Sequence, residues 1–189
     1  MAAKMLLSFA ALLSFFAVLA AGSRSPDVQA VVAPLGSTAA AAGGSNGHEC
    51  VYTIYVATGS IWMGGTDAVV GVTLAAADGR GFRITDLARW GGLMGAGHDY
   101  YERGNVDVFS GRGPCLPSPP CRMILTSDGS GENHGWYCRS VEVTATGPRA
   151  GCAKAEFGVD QWLARDATPY QLYAERSVCL RGKGGDAEE

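Results

Sequence analysis

Oxygen-bearing side chains gather in the glycine-rich stretches of this chain, and the chemistry open to them is the binding of a hard cation. Asp67 follows Gly64-Gly65-Thr66, Asp78 precedes Gly79, and Asp128, Glu132 and Asn133 stand together in SDGSGEN. Ca²⁺ takes roughly six to eight oxygens, which carboxylates, amides and backbone carbonyls of loops can supply. The plainer role for Asp67 and Asp128 is turn formation, each bonding its own backbone. No stretch has the spacing of an EF-hand loop. Ca²⁺ is thus a candidate cofactor, with no other one indicated.

Catalytic chemistry finds less support. Of the three histidines, His48, His98 and His134, none belongs to an HExxH pair, and Ser130 is flanked by Asp128 and Glu132 where a nucleophile elbow needs glycines. A nucleophile, a base and an orienting group are not found together, so the expectation is a binding protein and not an enzyme. Two loops offer apolar side chains among small residues: Ile61-Trp62-Met63 between Ser60 and Gly64, and Trp90-Gly91-Gly92-Leu93-Met94. Either could dip into a lipid surface, with Trp62 at headgroup level. The competing reading folds Trp62 back as a lid on the core, since tryptophan is highly buried on average. For Trp90 an inward orientation is favoured, because Leu87 and Trp90 at i, i+3 would share one face of a short helix. In YERGNVDVFSG, Arg103 is expected to pair with Asp107 or Glu102 in a structural role.

Residues 1–21 read as a secretory signal peptide: Lys4 heads an apolar stretch that ends in small residues. The expected location is the secretory pathway, either the extracellular space (apoplast) or the ER lumen. The formal net charge of −3, with no Lys/Arg cluster, argues against nucleic acid as a partner. Six cysteines behind a signal peptide read as disulfides, with about 15 connectivities open. Cys115 and Cys121 bracket Leu116-Pro117-Ser118-Pro119-Pro120, a stiff turn, and form the expected pair. Cys50 and Cys179 flank the patterned region and form a tentative second pair. Cys138 and Cys152 stay unassigned.

What must position these residues is a β-rich scaffold. Residues 22–48, rich in Ala, Gly and Ser, read as a flexible linker, and 181–189 as a disordered tail. Residues 49–180 form the domain. Eight short runs recur there between Gly, Pro, Asn and Asp clusters: Val51–Ala57, Ala68–Ala75, Gly81–Ile84, Asn105–Phe109, Arg122–Thr126, Trp136–Ala145, Lys154–Asp160 and Tyr170–Ala174. Tyr52, Ile54 and Val56 alternate, as do Val141, Val143 and Ala145, and Ala155, Phe157 and Val159. The nearly unbroken apolar run from Val69 to Leu74 predicts a central strand covered on both faces. Short helices are expected only at Thr85–Trp90 and Gln161–Arg165. The fold class is all-β, an antiparallel β-sandwich of two four-stranded sheets with short helical turns in its loops.

Five fragments in this order, TGSIWMGGTDAVV, DLARWGGLMG, YYERGNVDVFSGRGPCLPSPPC, LTSDGSGENHGWYCRSVEVT and FGVDQWLA, resemble the PLAT/LH2 domain. The proline-flanked cysteine loop is similar to the plant single-domain branch of that family and not to the lipoxygenase branch. The resemblance implies a C2-like sandwich that binds a lipid or membrane surface or a protein partner, and a part in plant stress responses or in seed and embryo development. It also sets Asp67 at the family's Gly-Thr-Asp position. The competing function is a protein–protein adaptor that docks on a partner enzyme through its apolar loops.

Overall fold

The computed structural model describes residues 28–31, 49–148 and 150–179. The signal peptide reading, most of the linker and the tail 181–189 lie outside the described residues. Among the described residues, nine strands and one short helix follow in order: β1 (Val28–Val31), β2 (Glu49–Thr58), β3 (Val70–Ala75), β4 (Gly81–Ile84), α1 (Leu87–Gly91), β5 (Val106–Pro114), β6 (Arg122–Ser127), β7 (Trp136–Gly147), β8 (Ala150–Leu163) and β9 (Tyr173–Ser177). One sheet runs β1-β4-β3-β6-β9 and the other β5-β2-β7-β8, with every pairing antiparallel. This is the expected sandwich of two four-stranded sheets, with β1 added at one edge. The stretch read as a linker therefore contributes a strand, held by the register Val28↔Ile84 to Val31↔Gly81.

Alternation explains the core. Tyr52, Ile54 and Val56 of β2, Val141 and Val143 of β7, and Ala155, Phe157 and Val159 of β8 all point inward and are buried. They meet Val70, Val72, Leu74, Phe82, Met123 and Leu125 from the other sheet in one cluster. The two layers thereby remove their apolar faces from water, the main stabilising contribution here. β3 is central as expected, but only one of its faces is sealed: Thr73 is half-buried and Val69, just before it, is exposed. Gly71 is buried, and no larger residue fits there: a Cβ would lie 2.8 Å from the carbonyl oxygens of Ile84 and Thr85.

Two local expectations need different treatment. The first helix exists: Asp86 accepts from Arg89 N at 3.0 Å as its cap, and Leu87 and Trp90 both turn inward. The second does not, because β8 continues through Leu163, with Gln161, Trp162 and Leu163 paired to Cys138, Tyr137 and Trp136. Side-chain pairing across β7 overrides the weak local preference for a helical turn.

The disulfide expectation is corrected. The bonds are Cys50–Cys115 and Cys121–Cys179, not Cys115–Cys121 and Cys50–Cys179. Register is the reason. Cys50 stands opposite Gly113 in the β2–β5 ladder, so the chain just past Pro114 lies beside it. Cys121 sits next to β9: Arg122 pairs with Ser177, and Val178 N donates to the Cys121 carbonyl at 2.8 Å. The prolyl loop crosses from one sheet to the other, with one foot bonded to β2 and the other to the chain just past β9. Cys138 and Cys152 are free thiols, the first buried and the second exposed. Burial pushes the Cys138 thiol above the ordinary cysteine range. Two disulfides suit an oxidising compartment such as the secretory pathway.

Candidate functional site

The two ends of the sandwich differ. At one lie the cystines, the prolyl loop and the turn from Ala76 to Arg80. At the other, the registers Ala57↔Val106, Thr58↔Cys138, Val70↔Ser127 and Trp136↔Leu163 bring together four connections: 59–69, 85–105, 128–135 and 164–172. Both apolar loops leave from this second end. Trp62 is 80% exposed, Met63 66%, Ile61 39%, Leu93 59% and Met94 41%. The lid reading of Trp62 therefore fails. Its place in the core is taken by Trp136, whose Nε1 donates to Thr58 Oγ1 at 3.0 Å, both groups buried. Trp90 is only 7% exposed and belongs to the core, as the helix spacing implied.

The loops are fixed by backbone contacts. Leu93 N donates to Val108 O at 2.9 Å, and Gly104 N to Gly59 O at 3.2 Å. Asp107, fully buried, accepts from Tyr101 N and meets His98 Nε2, both at 2.7 Å. Asp107 thus organises the 98–107 turn through His98, and the expected pairing with Arg103 gives way to it. Thr66 Oγ1 donates to Asn133 O at 2.6 Å, and Asp67 Oδ2 accepts from Asn133 N at 3.0 Å. Gly131, at φ +83°, allows this approach: a Cβ there would sit 2.6 Å from that of Asp67.

The fold gives the predicted metal residues different roles. Asp78 lies at the cystine end, bound to Arg80 Nε at 2.6 Å, and that hydrogen bond holds its carboxyl below the usual range. Asp128 is a turn former: it accepts from Val69 N and Ser130 N at 3.0 and 2.9 Å. Burial opposes its ionisation, but the hydrogen bonds from Ser130 and Val69 outweigh burial and lower its pKa. Asn133 braces Asp67 through its backbone, and Glu132 lines a groove beside Trp62.

Asp67 alone of the five joins a carboxylate cluster. Its partners are Asp99 and Glu102, with oxygens from all three within 4.8 Å of one another. An all-oxygen set of three carboxylates suits a hard cation. Tyr101 lines the adjoining cavity with Asp67 and Asp99, and its buried hydroxyl has no hydrogen-bond partner. Burial, then the nearby Asp86 and Asp107, raises its phenol pKa above the ordinary value. Sequence reasoning missed Asp99 and treated Glu102 as an ion-pair partner. The available signal was HDYYER, two acids three apart around an aromatic pair.

Residues 52–176 match the PLAT/LH2 domain. PLAT domain-containing protein 1 of Arabidopsis thaliana is 49% identical over 145 residues, which cover 77% of this chain and 80% of the relative. PLAT domain-containing protein 2 of the same plant is 52% identical over 131 residues, 69% of this chain and 72% of that one. Among solved structures, coral 8R-lipoxygenase superposes with a TM-score of 0.51 at 19% identity. The match covers 67% of this chain and 16% of the enzyme, so the likeness is one of fold alone. A match across most of the sandwich and two relatives near 50% identity lead to one conclusion: this chain belongs to the PLAT/LH2 domain family.

Proposed function

We propose that this protein is a non-enzymatic binding module that attaches reversibly to a lipid surface through the end bearing Ile61–Met63 and Leu93–Met94. The observation that carries this reading is the exposure of five large apolar side chains on two loops at the same end of the sandwich. Burying one such side chain stabilises by about 1.5–3 kcal/mol, so several together hold a soluble domain on a membrane without making attachment permanent.

Ca²⁺ is the cofactor that this end suits. Asp67, Asp99 and Glu102 would hold it, and the bound ion would supply positive charge where three carboxylates otherwise repel phosphate headgroups. Coral 8R-lipoxygenase is described as calcium-activated through a C2-like domain, which is in keeping with this proposal. The relatives are plant proteins, and a role in plant stress or seed development is consistent with that kinship.

Co-sedimentation with phosphatidylcholine vesicles, in Ca²⁺ or in chelator, tests the reading. Pelleting that rises with Ca²⁺ is expected; a domain that stays in the supernatant in both conditions overturns it. Retention of a specific protein by such a lipid-inert domain would favour the adaptor. Ca²⁺ at 10 mM is also expected to raise the melting temperature by several degrees, corresponding to about 2 kcal/mol for a site of millimolar to submillimolar affinity. Asp99→Asn should abolish most of that rise. A melting temperature indifferent to Ca²⁺ contradicts the cation site.

A further inference from the structure

A second feature of the loop end lies apart from the carboxylate cluster. A groove of about 260 Å³ opens between Trp62 and Met63 on one loop and Trp162 near the end of β8, with Glu132, His134 and Asp166 also in its lining. Trp162 is steadied by Tyr137, which meets it edge to face at 5.6 Å. His134 Nε2 lies 3.4 Å from Asp166 Oδ2, which leaves Glu132 without an ion-pair partner among the described residues. No lysine or arginine lines the groove.

Apolar aromatic walls and uncompensated carboxylate charge select for one ligand chemistry. A metal ion or a small ammonium keeps its water and gains little from indole faces. A neutral apolar group gains nothing from Glu132. A quaternary ammonium spreads its charge over methyl groups, so it is weakly hydrated and is attracted to the negative face of aromatic rings. We infer that the Trp62–Trp162 groove is a binding site for a trimethylammonium group, with Glu132 supplying the counter-charge. The inference deepens the lipid-surface reading and rests on it for its biological source, the headgroup of a choline phospholipid. A free quaternary ammonium solute would use the same chemistry.

The test uses the full chain and two probes. Tetramethylammonium chloride, titrated against NaCl at equal ionic strength, should change tryptophan emission saturably. Trp162→Leu should weaken that binding tenfold or more and Glu132→Gln severalfold; Glu132 is exposed, so E132Q also guards against a folding defect in the first variant. In the second arm, vesicles of phosphatidylcholine should bind more tightly than vesicles of phosphatidylethanolamine, a preference that Trp162→Leu erases. Tetramethylammonium binding without any vesicle binding supports the groove and a soluble source, and sinks the lipid reading. Vesicle binding with no headgroup preference and no response to tetramethylammonium overturns the groove while the lipid reading stands. A response identical in wild type, W162L and E132Q overturns the groove as well.

Discussion

Replacing Ile61 and Met63 by serine and Trp62 by alanine together is expected to lower vesicle affinity by about fortyfold or more. Each side chain would bury apolar surface in the acyl boundary, about 1.5–3 kcal/mol apiece, and 1.4 kcal/mol corresponds to about tenfold in affinity. Even if each realised only half of the lower figure, the sum exceeds 2 kcal/mol; at full burial the loss is far larger. The melting temperature should hardly change, since all three are exposed and none belongs to the core cluster. That contrast separates loss of a membrane contact from loss of the fold. Unchanged pelleting of the triple variant would refute insertion by this loop.

Removing the Cys50–Cys115 bond by a double serine substitution is expected to cost about 4 kcal/mol, which is the chain-entropy figure for a closed loop of this length. The sequence separation is 65 residues, against the short loop that Cys115–Cys121 would have closed. For a domain of this size the melting temperature should fall by roughly 10–15 °C. Gly147 shows how closely the surroundings have formed around the bond: a Cβ there would stand 2.3 Å from Cys50 Sγ. A fall of no more than two or three degrees would mean that this cystine shapes only a loop. Peptide mapping under non-reducing conditions gives the connectivity independently.

The strands could be read in the sequence because alternation is a local signal. Tyr52, Ile54 and Val56, or Ala155, Phe157 and Val159, declare their shared face without knowledge of any partner strand. β1 could not, since a four-residue strand gains its stability from pairing with β4. The cystine pairing was equally hidden: Cys50 meets Cys115 only once the β2–β5 register is set. Around Trp162 the local sequence suggests a helical turn, although Leu163 beyond it continues the inward alternation of Phe157 and Val159.

The candidate site was legible in part for the same reason. Ile61, Trp62 and Met63 advertise themselves as an apolar trio in a loop of small residues, and the fold leaves them exposed. Asp67 stood out through its Gly-Thr-Asp setting. Asp99 and Glu102 reach it only because the turn organised by Asp107 and His98 tucks beneath the β2–β3 loop, where Tyr101 O accepts from Thr66 N at 3.3 Å. Proximity of this kind is made by tertiary contacts and leaves no spacing signature. Asp78, Asp128 and Glu132 look like Asp67 in sequence, yet the fold gives each a different neighbour.

Tryptophan emission in vesicles whose phosphatidylcholine carries bromine along the acyl chain tests the central claim most directly. Trp90 and Trp136 are buried in the sandwich and Trp162 is half-buried against Tyr137, so Trp62, 80% exposed on its loop, is the indole most open to bromine at the membrane boundary. Strong quenching, most of which is lost in Trp62→Phe, is the predicted result. Emission untouched by brominated lipid, or quenched equally with and without Trp62, would contradict attachment through this end of the protein.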